Sequence, residues 1–109
     1  MTFIARLLQS QKNSNSLLCI GLDTDIAKLP EVLKSYENPQ YEFNRRIIEA
    51  TSDIVCAYKI NSAFYEAEAE QGWRAMRETR RSIPPSTISI ADAKRGDIGN
   101  SSERYARIF

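Results

Sequence analysis

The sequence predicts an α/β protein built on a parallel sheet, and three observations predict it. Apolar runs begin near residues 17, 54 and 87. Segments with apolar residues at helical spacing separate them. Each run leaves through ionisable residues, first Asp23, then Lys59, then Asp92 and Lys94. The order β-α-β-α-β-α at this spacing matches successive βα units with right-handed crossovers. In such architectures functional groups gather at the carboxyl ends of the strands.

The composition narrows the function. A chain of 109 residues makes one domain with a modest core. A net charge of +1 supplies no field to recruit nucleic acid or an anionic membrane. No apolar run approaches the roughly 20 residues of a spanning helix, and residues 1–13 lack the pattern of a signal peptide. Cys19 and Cys56 lie in apolar runs and read as buried thiols of a reducing compartment, so the expected location is cytoplasmic. The chain has no histidine. That excludes histidine triads and the commonest zinc ligand, so acid–base chemistry falls to Asp, Glu, Lys, Tyr or Cys.

Taken in order, Thr2 caps a first helix whose Phe3, Leu7 and Leu8 share a face. The polar stretch Gln11 to Ser16 ends it. Leu17 to Leu22 is a continuous apolar run, the pattern of a strand buried on both faces. Residues 28–40, with Pro30 and Pro39, predict an irregular connection with a turn near residues 31–35. A helix over residues 41–52 places Phe43, Ile47 and Ala50 on one side and the pairs Glu42–Arg46 and Arg45–Glu49 on the wet side. The second strand runs from Ile54 to Ile60. A long helix over about 63–82 follows, with Ala69, Trp73 and Met76, then Ile83, at helical spacing; Pro84 and Pro85 stop it. Its arginines, Arg74, Arg77, Arg80 and Arg81, alternate with Glu70 and Glu78 and read as a solvated face. Phe64, Trp73 and Met76 read as core residues. The third strand is Thr87 to Ala91, and Ser101 or Ser102 caps a last helix.

The chemistry concentrates in Asp92-Ala-Lys94-Arg-Gly-Asp97-Ile98-Gly-Asn100. Strand alternation puts Asp92 and Lys94 on one face, while the loop past Gly96 turns Asp97 elsewhere. Such a charge array is costly without partners, and clusters of this kind mark functional sites. Taken singly, Asp23 also reads as a turn cap, Lys59 as a snorkelling strand-end lysine, and the Asp92–Asp97 segment as a solvated loop. Their placement at successive strand exits favours a site.

This nonapeptide resembles the signature of the orotidine 5'-phosphate decarboxylases. So do Gly21-Leu22-Asp23 and the block Ala57-Tyr58-Lys59-Ile60-Asn61-Ser62-Ala63-Phe64-Tyr65-Glu66, which resembles the longer-chain branch of that family. The resemblance implies a (β/α)8 TIM barrel, of which the chain supplies the N-terminal helix and about the first three βα units. It implies decarboxylation of orotidine 5'-monophosphate to uridine 5'-monophosphate in de novo pyrimidine synthesis, with no cofactor and no metal. Lys94 is then the cation that protonates C6 of the pyrimidine, Asp92 lies against the departing carboxylate, and Lys59 bridges an alternating Lys-Asp-Lys-Asp network. Asp97 reaches across a homodimer interface to the partner's ribose. Asp23 binds ribose hydroxyls, and Lys59, Asn61, Ile98 and Ser101 complete the substrate contacts; Ser101 stands where the family commonly has threonine. Fixed ammonium groups suit this reaction, because they stabilise charge that develops at C6 only in the transition state.

A whole barrel takes roughly 250 residues, so residues 1–109 are expected to be the N-terminal portion of one decarboxylase domain. The phosphate-gripping loops of later strands are outside it, and the chain alone is expected to be inactive. The alternatives are a sugar-phosphate decarboxylase or synthase of the same superfamily, with a Mg²⁺ requirement as its mark, or a non-catalytic fragment.

Overall fold

The computed structural model describes residues 1–109. Three parallel strands, β1 (Cys19–Gly21), β2 (Ala57–Asn61) and β3 (Ile88–Asp92), form one sheet in the order β1-β2-β3. The helices are α1 (Phe3–Ser14), α2 (Pro39–Thr51), α3 (Ala63–Glu66), α4 (Ala69–Ser82) and α5 (Gly99–Ile108). Gly21 pairs with Lys59, and Asn61 with Asp92, so the three strand exits lie side by side. The molecule is a slab of 41 × 39 × 18 Å, because helices α2 and α4 cover one face of the sheet as a single layer.

Alternation along β2 decides what each face carries. Tyr58 and Ile60 enter the core with Leu22, Ile48, Val55, Ala75 and Ile83. Lys59 and Asn61 point to the opposite face and are only half-buried. Helix α1 packs at the amino ends of the strands. There Leu7 meets Cys56, Ala57 and Ile88, and the Ser10 hydroxyl donates to the Cys56 carbonyl at 2.7 Å.

Several expectations change in three dimensions. Thr2 caps α1 by accepting from the Ala5 N–H. Of the predicted face, however, only Leu7 packs; Phe3 and Leu8 stay exposed, because α1 touches the sheet along one narrow line. The run Leu17 to Leu22 is not buried on both faces. Leu17 is 81% exposed and Leu18 also faces solvent, since β1 is an edge strand with helices on one side only. Cys19 is likewise exposed, and only Cys56 is a buried thiol; both are free. The irregular connection expected over 28–40 ends at Asn38, because Pro39 and Gln40 already belong to α2; it carries short 3-10 turns at Ile26–Lys28 and Glu31–Leu33.

Helix α2 begins at Pro39 after an Asn38 cap, and proline suits the first helical turn. Its buried stripe is Gln40, Asn44 and Ile48 rather than Phe43, Ile47 and Ala50. Gln40 and Asn44 occupy the inner face because they bond there to the β1 exit, α3 and α4. The long helix over 63–82 is two helices. Ala69 takes a left-handed φ of 51°, which folds α4 back against α3, with Gly72, Ala75 and Thr79 inward. Small residues allow that approach, and Trp73 and Met76 flank the contact half-buried. Phe64 stays partly exposed at the surface. Helix α5 starts at Gly99, with Ile98 at the cap position and no side-chain cap, so neither Ser101 nor Ser102 begins it.

The predicted pairs on α2 are present and share a hub. Glu42 accepts from Arg45 and Arg46, and Arg45 also reaches Glu49. The bonds from Arg45 and then Arg46 pull the Glu42 carboxyl down from 4.5 to about 2. A carboxyl with a depressed folded-state pKa contributes stability that is present above its unfolded value and is lost as pH falls through the folded one. Acid unfolding of Glu42→Gln, followed by circular dichroism, is therefore expected to be flatter than wild type between pH 4.5 and 2. Equal slopes in that window would contradict the assignment.

Candidate active site

The site assembles at the carboxyl edge of the sheet. Lys59, near the end of β2, extends its Nζ between two carboxylates, 3.3 Å from Asp23 Oδ2 and 4.0 Å from Asp92 Oδ2. Lys94 Nζ then donates to the same Asp92 oxygen. Four residues from three strand exits thus form one alternating line, Asp23–Lys59–Asp92–Lys94. The hydrogen bond from Lys94, with the nearby charge of Lys59, holds the Asp92 carboxyl below its usual range. Asp92 is ionised at neutral pH and screens two ammonium groups from each other. The Lys94 side chain is 68% exposed, the most open of the four.

Lys94 reaches Asp92 by a different route from strand alternation. The strand ends at Asp92, and Lys94 has a left-handed φ of 51°. A backbone turn, rather than the pleat, brings the amine back over the carboxylate. This is an uncommon conformation for a lysine, and such residues cluster at functional sites.

The other predicted site residues are not joined to this line. Asp97 is exposed, and its carboxylate accepts from the Ile98 N–H at 2.8 Å. Within this chain Asp23 ends the line beside Lys59, and Asp97, expected to reach a second copy, is not joined to it. Ile98 is 82% exposed, and Ser101 sits half-buried in the first turn of α5. Asn61 lies beside Asp92 in register but uses its side-chain oxygen to accept from the Ala63 N–H.

Beneath the array is a polar network that the sequence reading missed. The buried Asn44 amide donates to the Tyr65 hydroxyl at 2.8 Å and to Thr79 Oγ1 at 2.9 Å, and its oxygen accepts from the Thr24 hydroxyl. Tyr65 donates onward to the Leu22 carbonyl at 2.6 Å. Gln40 gives its amide hydrogens to the Thr24 and Phe64 carbonyls, each at 2.9 Å. These bonds clamp the β1 exit, and with it Asp23, to α2, α3 and α4. Burial pushes the Tyr65 hydroxyl up to about 12, so it stays a donor. The signal was present as Gln40, Asn44 and Ile48 at i,i+4 spacing, but polar residues at helical spacing ordinarily mark a wet face.

Against known proteins, residues 16–109 match the family model described as orotidine 5'-phosphate decarboxylase / HUMPS. The chain belongs to that family. It is 53% identical over 107 residues to an orotidine 5'-phosphate decarboxylase of Dehalococcoides mccartyi, with 98% of this chain and 38% of the relative covered. Among solved structures it resembles a candidate orotidine-monophosphate decarboxylase of Toxoplasma gondii, with a TM-score of 0.87, 38% identity, and coverage of 96% and 35% of the two chains. It also resembles a Leishmania donovani UMP synthase, with a TM-score of 0.80, 34% identity, and coverage of 97% and 22%. The chain thus spans little more than a third of the length of the decarboxylase relatives, and its three βα units are part of the family's TIM barrel. No helix is long and apolar enough to cross a membrane.

Proposed function

We propose that these residues are the N-terminal portion of an orotidine 5'-monophosphate decarboxylase and carry its charged catalytic array. The observation that supports this most is the Asp23–Lys59–Asp92–Lys94 line, built from three consecutive strand exits of a family member. In this reading the bond from C6 of the pyrimidine to its carboxylate breaks. Carbon dioxide leaves, the electron pair stays on C6, and the Lys94 ammonium supplies the proton that completes uridine 5'-monophosphate. Lys59 and Lys94 provide positive charge where the carbanion develops. Asp92 keeps that charge in place and lies beside the departing carboxylate. Asp23 takes ribose hydroxyls, with Asn61, Ile98 and Ser101 as further substrate contacts. Asp97, exposed on its loop, reaches the ribose bound by a second copy in a homodimer.

The reading is tested in a reconstituted barrel, residues 1–109 joined to the remaining length of the Dehalococcoides mccartyi relative. Loss of absorbance as orotidine 5'-monophosphate is consumed measures turnover. Robust turnover that is unchanged by chelator is expected. A folded dimer without turnover would sink the decarboxylase reading, and activity that collapses on chelation would transfer the chain to the metal-dependent sugar-phosphate branch.

A further inference from the structure

We infer that Arg95 and Glu66 form a staple that positions Lys94. Its kinetic consequence rests on the decarboxylase reading; its structural consequence does not. Residues 93–98, between β3 and α5, have no regular secondary structure. The segment contains the left-handed Lys94, is followed by Gly99 at φ 41°, and includes Gly96, which has open space around it. Such a segment has little of its own to hold an amine over a carboxylate.

Arg95 supplies the hold. One guanidinium nitrogen donates to the Ala93 carbonyl at 2.7 Å, across the residue whose backbone turns. The other pairs with Glu66 on α3. The guanidinium plane also lies 5.3 Å from the centre of the Tyr105 ring on α5. Glu66 is itself fixed by the Ser62 hydroxyl, at 2.7 Å, and the Ser62 N–H bonds the Asp92 carbonyl at 3.1 Å. The circuit closes from the end of β3 through Ser62, Glu66 and Arg95 back to Ala93, encircling the base of the Lys94 turn. Both charged groups are about three-quarters buried, with side chains 25% and 28% exposed. Pairs shielded to this degree hold geometry better than surface pairs do. Neither residue belongs to the Asp23–Lys59–Asp92–Lys94 line, so the pair acts on Lys94 through the backbone alone.

The test uses Glu66→Gln, Arg95→Gln and the double variant in the reconstituted barrel. Each single change is expected to lower kcat on the order of 10- to 100-fold, the cost of misplacing a reacting group by about an ångström. KM and melting temperature are expected to stay near wild type. The double variant is expected to be no worse than the singles, because the pair works as one unit. Independently of turnover, Lys-C cleavage after Lys94 in Glu66→Gln is expected to accelerate relative to cleavage after Lys28 and Lys34. Losses that multiply in the double variant, a KM-only effect, or an unchanged cleavage ratio would each overturn the staple. A wild-type barrel lacking turnover refutes the function instead, and the cleavage ratio then decides the staple by itself.

Discussion

Lys94→Ala in the reconstituted barrel is expected to abolish most of the decarboxylation, with kcat/KM falling at least about 10³-fold. The general-acid role alone accounts for 10²- to 10⁴-fold, and the loss of a fixed positive charge at the developing carbanion adds to it. Folding should hardly notice. The side chain is 68% exposed, and its one carboxylate partner, Asp92, keeps Lys59 within 4.0 Å. The variant is therefore expected to melt within a few degrees of wild type. Near wild-type turnover with an intact fold would remove Lys94 from the mechanism and leave Lys59 as the remaining cation of the line.

The second large effect is on the fold. Gly72→Ala in α4 would ordinarily stabilise a helix by roughly 1 kcal/mol. Here the opposite is expected, because a Cβ at residue 72 would fall 1.6 Å from the Tyr65 carbonyl oxygen and 2.6 Å from its carbon. The backbone of α3 cannot yield by a rotamer change, so the two helices must separate. Chemical denaturation should show a loss of about 3 kcal/mol or more, the upper end for overpacking. The damage should reach the site. Tyr65 ties the Leu22 carbonyl and Asn44 together, and Leu22 precedes Asp23, so KM for the nucleotide is expected to rise as well. A neutral or stabilising result would mean that the α3–α4 approach is looser than this structure has it.

Much of the site was legible because strand exits are local features. An apolar run that ends in Asp23, Lys59 or Asp92 announces itself in the chain, and parallel pairing brings successive exits together. The helical content of residues 41–52 and 63–82 was legible from spacing and proline boundaries, the second as one continuous helix. The break at Ala69 was not. Ala63, Ala67 and Ala69 are good helix formers, and only the packing of Gly72 on Tyr65 shows why the chain turns there.

By itself, then, the sequence determined the parallel βα order, the family and the identity of the charges at the strand exits. These rest on short-range patterns that survive in one dimension. Only the tertiary structure decided the order of the charges, Asp23–Lys59–Asp92–Lys94, with Asp97 outside it. It also decided that Lys94 arrives by a left-handed turn, and that Gln40, Asn44 and Thr79 face inward. The physical reason is the same in each case. Charge pairing and polar burial depend on which partners lie within a few ångströms. Apart from Lys94 and Asp92, which the left-handed turn joins across two residues, those partners come from elements 16 to 43 residues apart.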